Sequence, residues 1–254
     1  MEPWRTSIAH ANETGIWIRG YDVTALMQGT FADTVFLLHR GRLPSSSERQ
    51  LLNAILIGVA DHGAGAPSCA AARLAASGNR QSLSAAVAAG ILAIGDEHGG
   101  AGEGCMVLIR HAVEEAGRDG IAIEEAAARA VERAVHAHTR LPGLGHRVHT
   151  IDPRVRVLFD MARQHGLAGD GVAFMTALER AASDRIKKLP LNVDGALAAV
   201  LHDLGFDAAA GKLVFIIGRV AGLTAEVAEE YAREKPMRMR IPVQYDGEGP
   251  RSVD

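Results

Sequence analysis

From residue 31 onward, apolar side chains recur at three- and four-residue intervals in segment after segment, and the breaks between segments fall at glycine or proline. That period places the apolar groups of each segment on one face of an α-helix, so the chain is constrained to bury helices against helices. The spacing predicts helices over residues 31–39, 46–60, 82–94, 102–116, 123–138, 153–164, 172–188, 195–203 and 208–233. Gly41 closes the first of these, and Ser45 with Glu48 forms a capping box ahead of the second. Before them, Ile16, Trp17 and Ile18, bounded by Gly15 and Gly20, read as a short strand or hairpin and as the only sheet. The fold class expected is therefore all-α with a short N-terminal strand or hairpin.

The helical segments are rich in alanine and only 4% of residues are aromatic, which suits helices that approach closely. The run from Lys212 to Glu229, apolar at Leu213, Phe215, Ile216, Val220 and Leu223, reads as an interior helix or a dimer seam. A chain of 254 residues can bury a substantial core, as one large domain or as a large and a small one sharing that core. There is no internal repeat and no long linker, but residues 236–254 lose the helical period and read as an extended arm.

A net charge of −3 gives no electrostatic case for binding nucleic acid or an acidic membrane surface. Two cysteines, Cys69 and Cys105, lie far apart with no CxxC pattern, which argues against zinc or a disulfide framework and fits a reducing, cytoplasmic setting. Residues 1–7 lack the pattern of a signal peptide, and the longest apolar stretches are too short to span a bilayer, so a soluble protein is expected.

Three segments interrupt the helical pattern with polar groups beside flexible backbone: Gly-Asp-Glu-His-Gly-Gly-Ala at 95–101, Pro-Gly-Leu-Gly-His-Arg at 142–147, and Leu-Asn-Val-Asp-Gly at 191–195. Each has an ordinary reading alone: His98 a loop residue, His146 a packed loop histidine, Asp194 the N-cap of a helix starting at Gly195. Together, two histidines and a carboxylate make a general acid/base set. His62 and Arg154 sit at the end of one helix and the start of another, where they are solvated or hold an anion. Arg219, inside a strongly apolar helix, requires either a structural ion pair or an anionic ligand such as a carboxylate. Arg185, Lys187 and Lys188 form a basic cluster that meets phosphates or, the preferred reading, water. His136 and His138 diverge on their helix and Gly99-Gly100-Ala101-Gly102 lacks the Lys-Ser/Thr of a phosphate loop, so neither a metal nor a nucleotide is expected there.

The motifs His98-Gly99-Gly100-Ala101, then Gly143-Leu144-Gly145-His146-Arg147 through Asp152-Pro153-Arg154, then Asn192-Val193-Asp194 resemble the successive motifs of citrate synthases, in the same order. The resemblance takes in Asp61-His62 and Gly218-Arg219, and runs from about Thr6 to the tail. Thr6-Ser7-Ile8, Ile18-Arg19-Gly20-Tyr21-Asp22, Ile94-Gly95-Asp96 and Leu191-Asn192-Val193-Asp194-Gly195 are closer to citryl-CoA lyases and to the citryl-CoA-cleaving domain of ATP-citrate lyase. Citrate synthases carry a longer N-terminal helical region and usually Pro-Leu where this chain has Asp96-Glu97. The ATP-citrate lyase domain tends to have phenylalanine where this chain has His98, and Asp152-Pro153-Arg154 is the synthase form.

The resemblance implies the citrate synthase fold: a single catalytic unit over 1–254, a smaller region near 140–205 closing over a cleft, and at least a homodimer. It implies a coenzyme A thioester, acetyl-CoA or citryl-CoA, with oxaloacetate as the second small molecule and no metal. Asp194 is then the base that takes a methyl proton, His98 the donor to the thioester oxygen, and His146 the group that exchanges a proton with the new hydroxyl. His62, Arg154 and Arg219 would hold the substrate carboxylates, and Arg147, Lys187 and Lys188 would meet coenzyme A. Lys235-Pro236 stands where citrate synthases supply Arg-Pro from a partner subunit, so Lys235, Arg238 or Arg240 would replace that charge. The activity implied is citryl-CoA cleavage; the alternatives are citrate or 2-methylcitrate synthesis, or a non-catalytic ligand-binding subunit on the same fold.

Overall fold

The computed structural model describes residues 2–145 and 151–252. The N-terminal strand is the centre of a small antiparallel sheet, β1 (Ala9–Asn12), β2 (Gly15–Ile18) and β3 (Tyr21–Asp22), in the order β1-β2-β3. Ala-His-Ala-Asn carries no β-branched residue, which is why the first strand was not expected; it is recruited by pairing with β2. His10 lies opposite Trp17 and stacks on it with ring centroids 4.7 Å apart. Asp22 then caps the short helix α1 (Val23–Leu26).

Beyond α1, which was not among the expected helices, the helices follow as the sequence predicts with one further addition. α2 (Phe31–Arg40) opens on a Thr30/Asp33 capping box, and α3 (Ser46–Val59) on the expected Ser45/Glu48 box. That addition is α4 (Pro67–Gly78). The spacing predicts no element for this segment, but Pro67 opens the first turn and Cys69, Ala72 and Ala76 are fully buried. Then come α5 (Leu83–Leu92), α6 (Ala101–Asp119), α7 (Ile123–His136), α8 (Pro153–Gln164), α9 (Asp170–Arg185), α10 (Val193–Asp203) and α11 (Ala210–Arg233). The N-terminus of α9 is capped from another helix, because the Asp203 carboxylate accepts from the N–H groups of Gly169 (2.7 Å), Gly171 (2.7 Å) and Val172 (3.1 Å).

α10 is the centre of the main core: Ala196 to Leu201 have no exposure, and the helix packs on α6, α8 and α9. α11 runs across α3, α4, α5 and α6, joining that core to a second cluster of Ala66, Cys69, Ala72, Ala76, Ala86, Leu223 and Val227. One face of it is interior within this chain, with Phe215 and Leu223 buried and Ile216 and Val220 half-buried, while Leu213, Ala221, Thr224, Ala225 and Ala228 are exposed. Where α11 crosses α6 the backbones touch, and a methyl group on Gly211 would lie 2.4 Å from the Gly102 carbonyl carbon. This crossing brings the middle of α11, the start of α6 and the start of α10 to one side of the molecule, where the polar segments of the sequence meet.

Candidate active site

Asp194 is not the helix cap the sequence suggested. α10 begins at Val193, and Asn192 is its cap, accepting from the Gly195 N–H at 3.2 Å. The Asp194 side chain is thereby left to project from the first turn, and its Oδ1, buried, finds no hydrogen-bond partner among the described residues. Burial pushes its carboxyl up to about 6, the charges of Arg154 and Arg219 pulling the other way and that of Asp152 adding to the rise. Cys105, buried beside it, has its thiol pushed far above its ordinary value by burial and stays neutral.

His98 is fixed by a residue for which the sequence offered no signal. Ser68, fully buried in the first turn of α4, donates its N–H to His98 Nε2 at 3.2 Å, and its Oγ lies 2.9 Å from the same nitrogen. A backbone N–H can only donate, so Nε2 is an acceptor and the proton of the neutral ring sits on Nδ1. Arg219 Nη1 donates to Ser68 Oγ at 3.0 Å, which turns the hydroxyl hydrogen toward the imidazole. The loop that carries His98 is closed by Gly95 N–H to His98 O (3.0 Å), His98 N–H to Gly95 O (2.9 Å) and Gly100 N–H to Gly95 O (2.9 Å).

Arg219 is 2% exposed and among the described residues forms no ion pair. Its Nε donates to the Val59 carbonyl at 2.8 Å, and its guanidinium lies 4.9 Å from the Phe215 ring centroid. Of the two options the sequence left open, a structural ion pair is not found for it among the described residues. Arg154 is paired: Asp152, 1% exposed, receives its Nε (2.9 Å) and Nη2 (2.8 Å), and also accepts the Val193 N–H at 3.1 Å. Asp152 therefore ties the start of α8 to the start of α10. Residues 143–145 are bound to residues 190–192 in turn, by Gly145 N–H to Pro190 O (2.7 Å), Asn192 N–H to Gly143 O (3.0 Å) and Asn192 Nδ2 to Gly145 O (2.8 Å). Gly143 has φ +81°, and a Cβ there would lie 2.7 Å from the Gly195 Cα, so only glycine fits this approach.

Two cavities meet at Asp194. The smaller, about 430 Å³, is lined by His62, His98, Arg154, Asp194, Phe215 and Arg219 among others. The larger, about 1220 Å³, is lined by Arg140, Gly143, Lys187, Asn192, Asp194 and Lys212 among others. A neutral imidazole donor, a carboxylate and two guanidinium groups around one small cavity can hold a multiply charged carboxylate ligand and move a proton beside it.

The sequence pattern described as citrate synthase, C-terminal domain, matches residues 44–240. The chain belongs to the citrate synthase family. Citrate synthase 2 of Bacillus subtilis (strain 168) is 30% identical over 206 residues, 79% of this chain and 52% of that protein. The chain spans about half the length of the curated citrate synthases it matches. Among solved structures, citryl-CoA lyase from Hydrogenobacter thermophilus is similar over 100% of this chain and 98% of that one, at 38% identity with a TM-score of 0.90. ATP citrate lyase from Methanothrix soehngenii shares the fold at 19% identity and a TM-score of 0.77, over 98% of this chain and 43% of that one.

Of the residues the citrate synthase resemblance singled out, His62, His98, Arg154, Asp194 and Arg219 line the smaller cavity. Lys187 lines the larger one, whereas Lys188, exposed beyond the end of α9, lines neither; the helix stops at Arg185, short of both lysines. Lys235 is exposed just past α11 and lines neither cavity. Arg238, its suggested substitute, is held by Glu230 at 2.6 and 2.7 Å. His146 and Arg147 lie outside the described residues. The one group of side chains among the described residues with metal-ligand geometry, Asp61, Cys69 and Glu226, is internally bonded: Cys69 Sγ donates to Asp61, and Glu226 pairs with Arg73. Ser68, Arg140 and Lys212 were not foreseen: Ser68 and Lys212 reach the site from segments with no motif of their own, and Arg140 stands just ahead of the 142–147 segment, outside its motif.

Proposed function

We propose that the protein is a citryl-CoA lyase, cleaving citryl-CoA to acetyl-CoA and oxaloacetate. The observation that carries this reading is the Asp194 carboxylate, whose buried Oδ1 has no hydrogen-bond partner among the described residues, at the junction of two cavities, one lined by guanidinium groups and one large enough for a coenzyme A arm. The end-to-end similarity to citryl-CoA lyase from Hydrogenobacter thermophilus supports the lyase direction. On this reading the citrate carboxylates meet Arg154, Arg219 and His62, and the thioester passes Asp194 toward the larger cavity, where Lys187 and, by resemblance, Arg147 would meet coenzyme A.

Cleavage begins when His146 takes the proton of the citryl hydroxyl. The C–O bond becomes a carbonyl as the C–C bond breaks, and the electron pair passes to the thioester as an enolate. His98 Nδ1–H donates to that oxygen, and Asp194, protonated, returns a proton to the carbon, giving acetyl-CoA. The same groups run synthesis in reverse, so citrate synthesis is the second reading, supported by the similarity to citrate synthase 2 of Bacillus subtilis. We also place residues 140–205 as the region closing over the cleft, and read the protein as cytoplasmic and at least dimeric; no helix among the described residues is long and apolar enough to cross a membrane.

The test incubates purified protein with synthetic citryl-CoA, following oxaloacetate through coupled NADH oxidation, and in parallel follows free coenzyme A released from acetyl-CoA plus oxaloacetate. Rapid oxaloacetate release without net citrate is the expected result. Net citrate and coenzyme A would move the assignment to synthesis, with propionyl-CoA separating a 2-methylcitrate synthase, and silence in both assays would overturn it.

A further inference from the structure

Charges in the larger cavity do not match a polyanion. Among the described residues its lining holds three cations, Arg140, Lys187 and Lys212, and beside Asp194 three acids, Asp96, Glu97 and Glu103. Two of the cations are already engaged by the loop that precedes His98: Arg140 Nη1 by Glu97 at 2.7 Å, and Lys212 Nζ by Asp96 at 3.0 Å.

Glu97 and Arg140 are 79% and 87% exposed, and ion pairs that open to water contribute little net stability. A phosphate offers the guanidinium a bidentate partner of higher charge than a single carboxylate and can displace it at small cost. The backbone of the loop is locked by its three Gly95 hydrogen bonds, so the Glu97 side chain can release Arg140 without moving His98. We propose that Glu97 is a guard on Arg140: it competes with the phosphate groups of coenzyme A for the same guanidinium and sets affinity for that end of the substrate. The inference rests on the reading that the larger cavity receives coenzyme A, and it assigns Arg140 as a phosphate-contacting residue and Glu97 as a specificity-determining one.

The experiment measures binding by calorimetry on the full chain, and so does not depend on turnover. The probes are coenzyme A and pantetheine, which lacks the phosphates, with the variants Glu97→Gln, Arg140→Gln and the double variant. Glu97→Gln is expected to tighten coenzyme A binding by about 3- to 5-fold at low ionic strength. The gain should vanish in the Arg140→Gln background, be absent with pantetheine, and shrink at about 1 M salt, where screening is nearly complete. With citryl-CoA as substrate, the change should appear in KM and not in kcat. Unchanged or weaker binding by Glu97→Gln overturns the guard while leaving the coenzyme A reading intact. A gain that survives Arg140→Gln reports a general field and overturns it equally. Failure of the unaltered protein to bind coenzyme A at all overturns both readings together.

Discussion

Burial raises the Asp194 carboxyl from 3.8 to about 6, and that rise has a thermodynamic sign. Between those pH values the folded chain keeps a proton that the unfolded chain has lost, so stability falls as pH rises through the interval. A rise of about two pH units corresponds to roughly 3 kcal/mol lost by neutral pH. Asp194→Asn should therefore be more stable than the unaltered protein by up to about 3 kcal/mol near pH 8, and equal to it near pH 3.5, by urea unfolding. The same variant should lose turnover by ~10²-fold or more. Equal stability at high pH would show that the carboxylate is solvated, and near-normal activity would remove it from the chemistry. In cleavage Asp194 gives a proton, so that rate should decline as pH rises through about 6, while solvent exchange of the acetyl-CoA methyl protons should rise over the same interval. Ser68→Ala takes the donors' hydroxyl from His98 and the acceptor from Arg219. It should lower kcat by about 10- to 100-fold with little change in KM, and a normal kcat would mean the loop alone orients the imidazole.

At the scale of elements, most helices could be read from periodicity because each carries its own apolar stripe and its own cap, as Ser45 and Glu48 do for α3. α4 could not: its alanine and serine face becomes hydrophobic only against α5 and α11. The start of α10 was misplaced for a related reason, since Asn192 and Asp194 are both good caps and only the fold decides which turns inward. Close helix crossings set a second requirement. Gly211→Ala would drive a methyl into the Gly102 carbonyl and should cost about 1–3 kcal/mol. Gly117→Ala, on an open face of α6, should instead gain about 0.5–1 kcal/mol, and urea unfolding of the pair separates crowding from helix propensity.

Across the whole molecule, the C-terminal segment is fastened by a charge network that no local pattern announces. Arg73 of α4 pairs with Glu226, with Glu229 at 2.9 Å and with Glu230 at 3.0 Å, and Glu230, without exposure, is shared with Arg238 beyond the helix. These partners hold the Glu230 carboxyl below its ordinary value, so the stability they give is lost as pH falls through the lowered folded value, below 4.5. Arg73→Met should destabilise by roughly 3 kcal/mol near neutral pH and by less in acid, where the glutamates protonate; a deficit independent of pH would point to packing instead. The sequence by itself determined the helical class, most helix positions, and the set of motif residues that includes His98, Asp194, Arg154 and Arg219, because periodicity, caps and motifs are local. Tertiary structure alone decided that Ser68 sets the His98 tautomer and that, among the described residues, the buried Asp194 Oδ1 has no hydrogen-bond partner and Arg219 no ion pair. Desolvation and pairing belong to the contact between distant segments, and no single segment carries them.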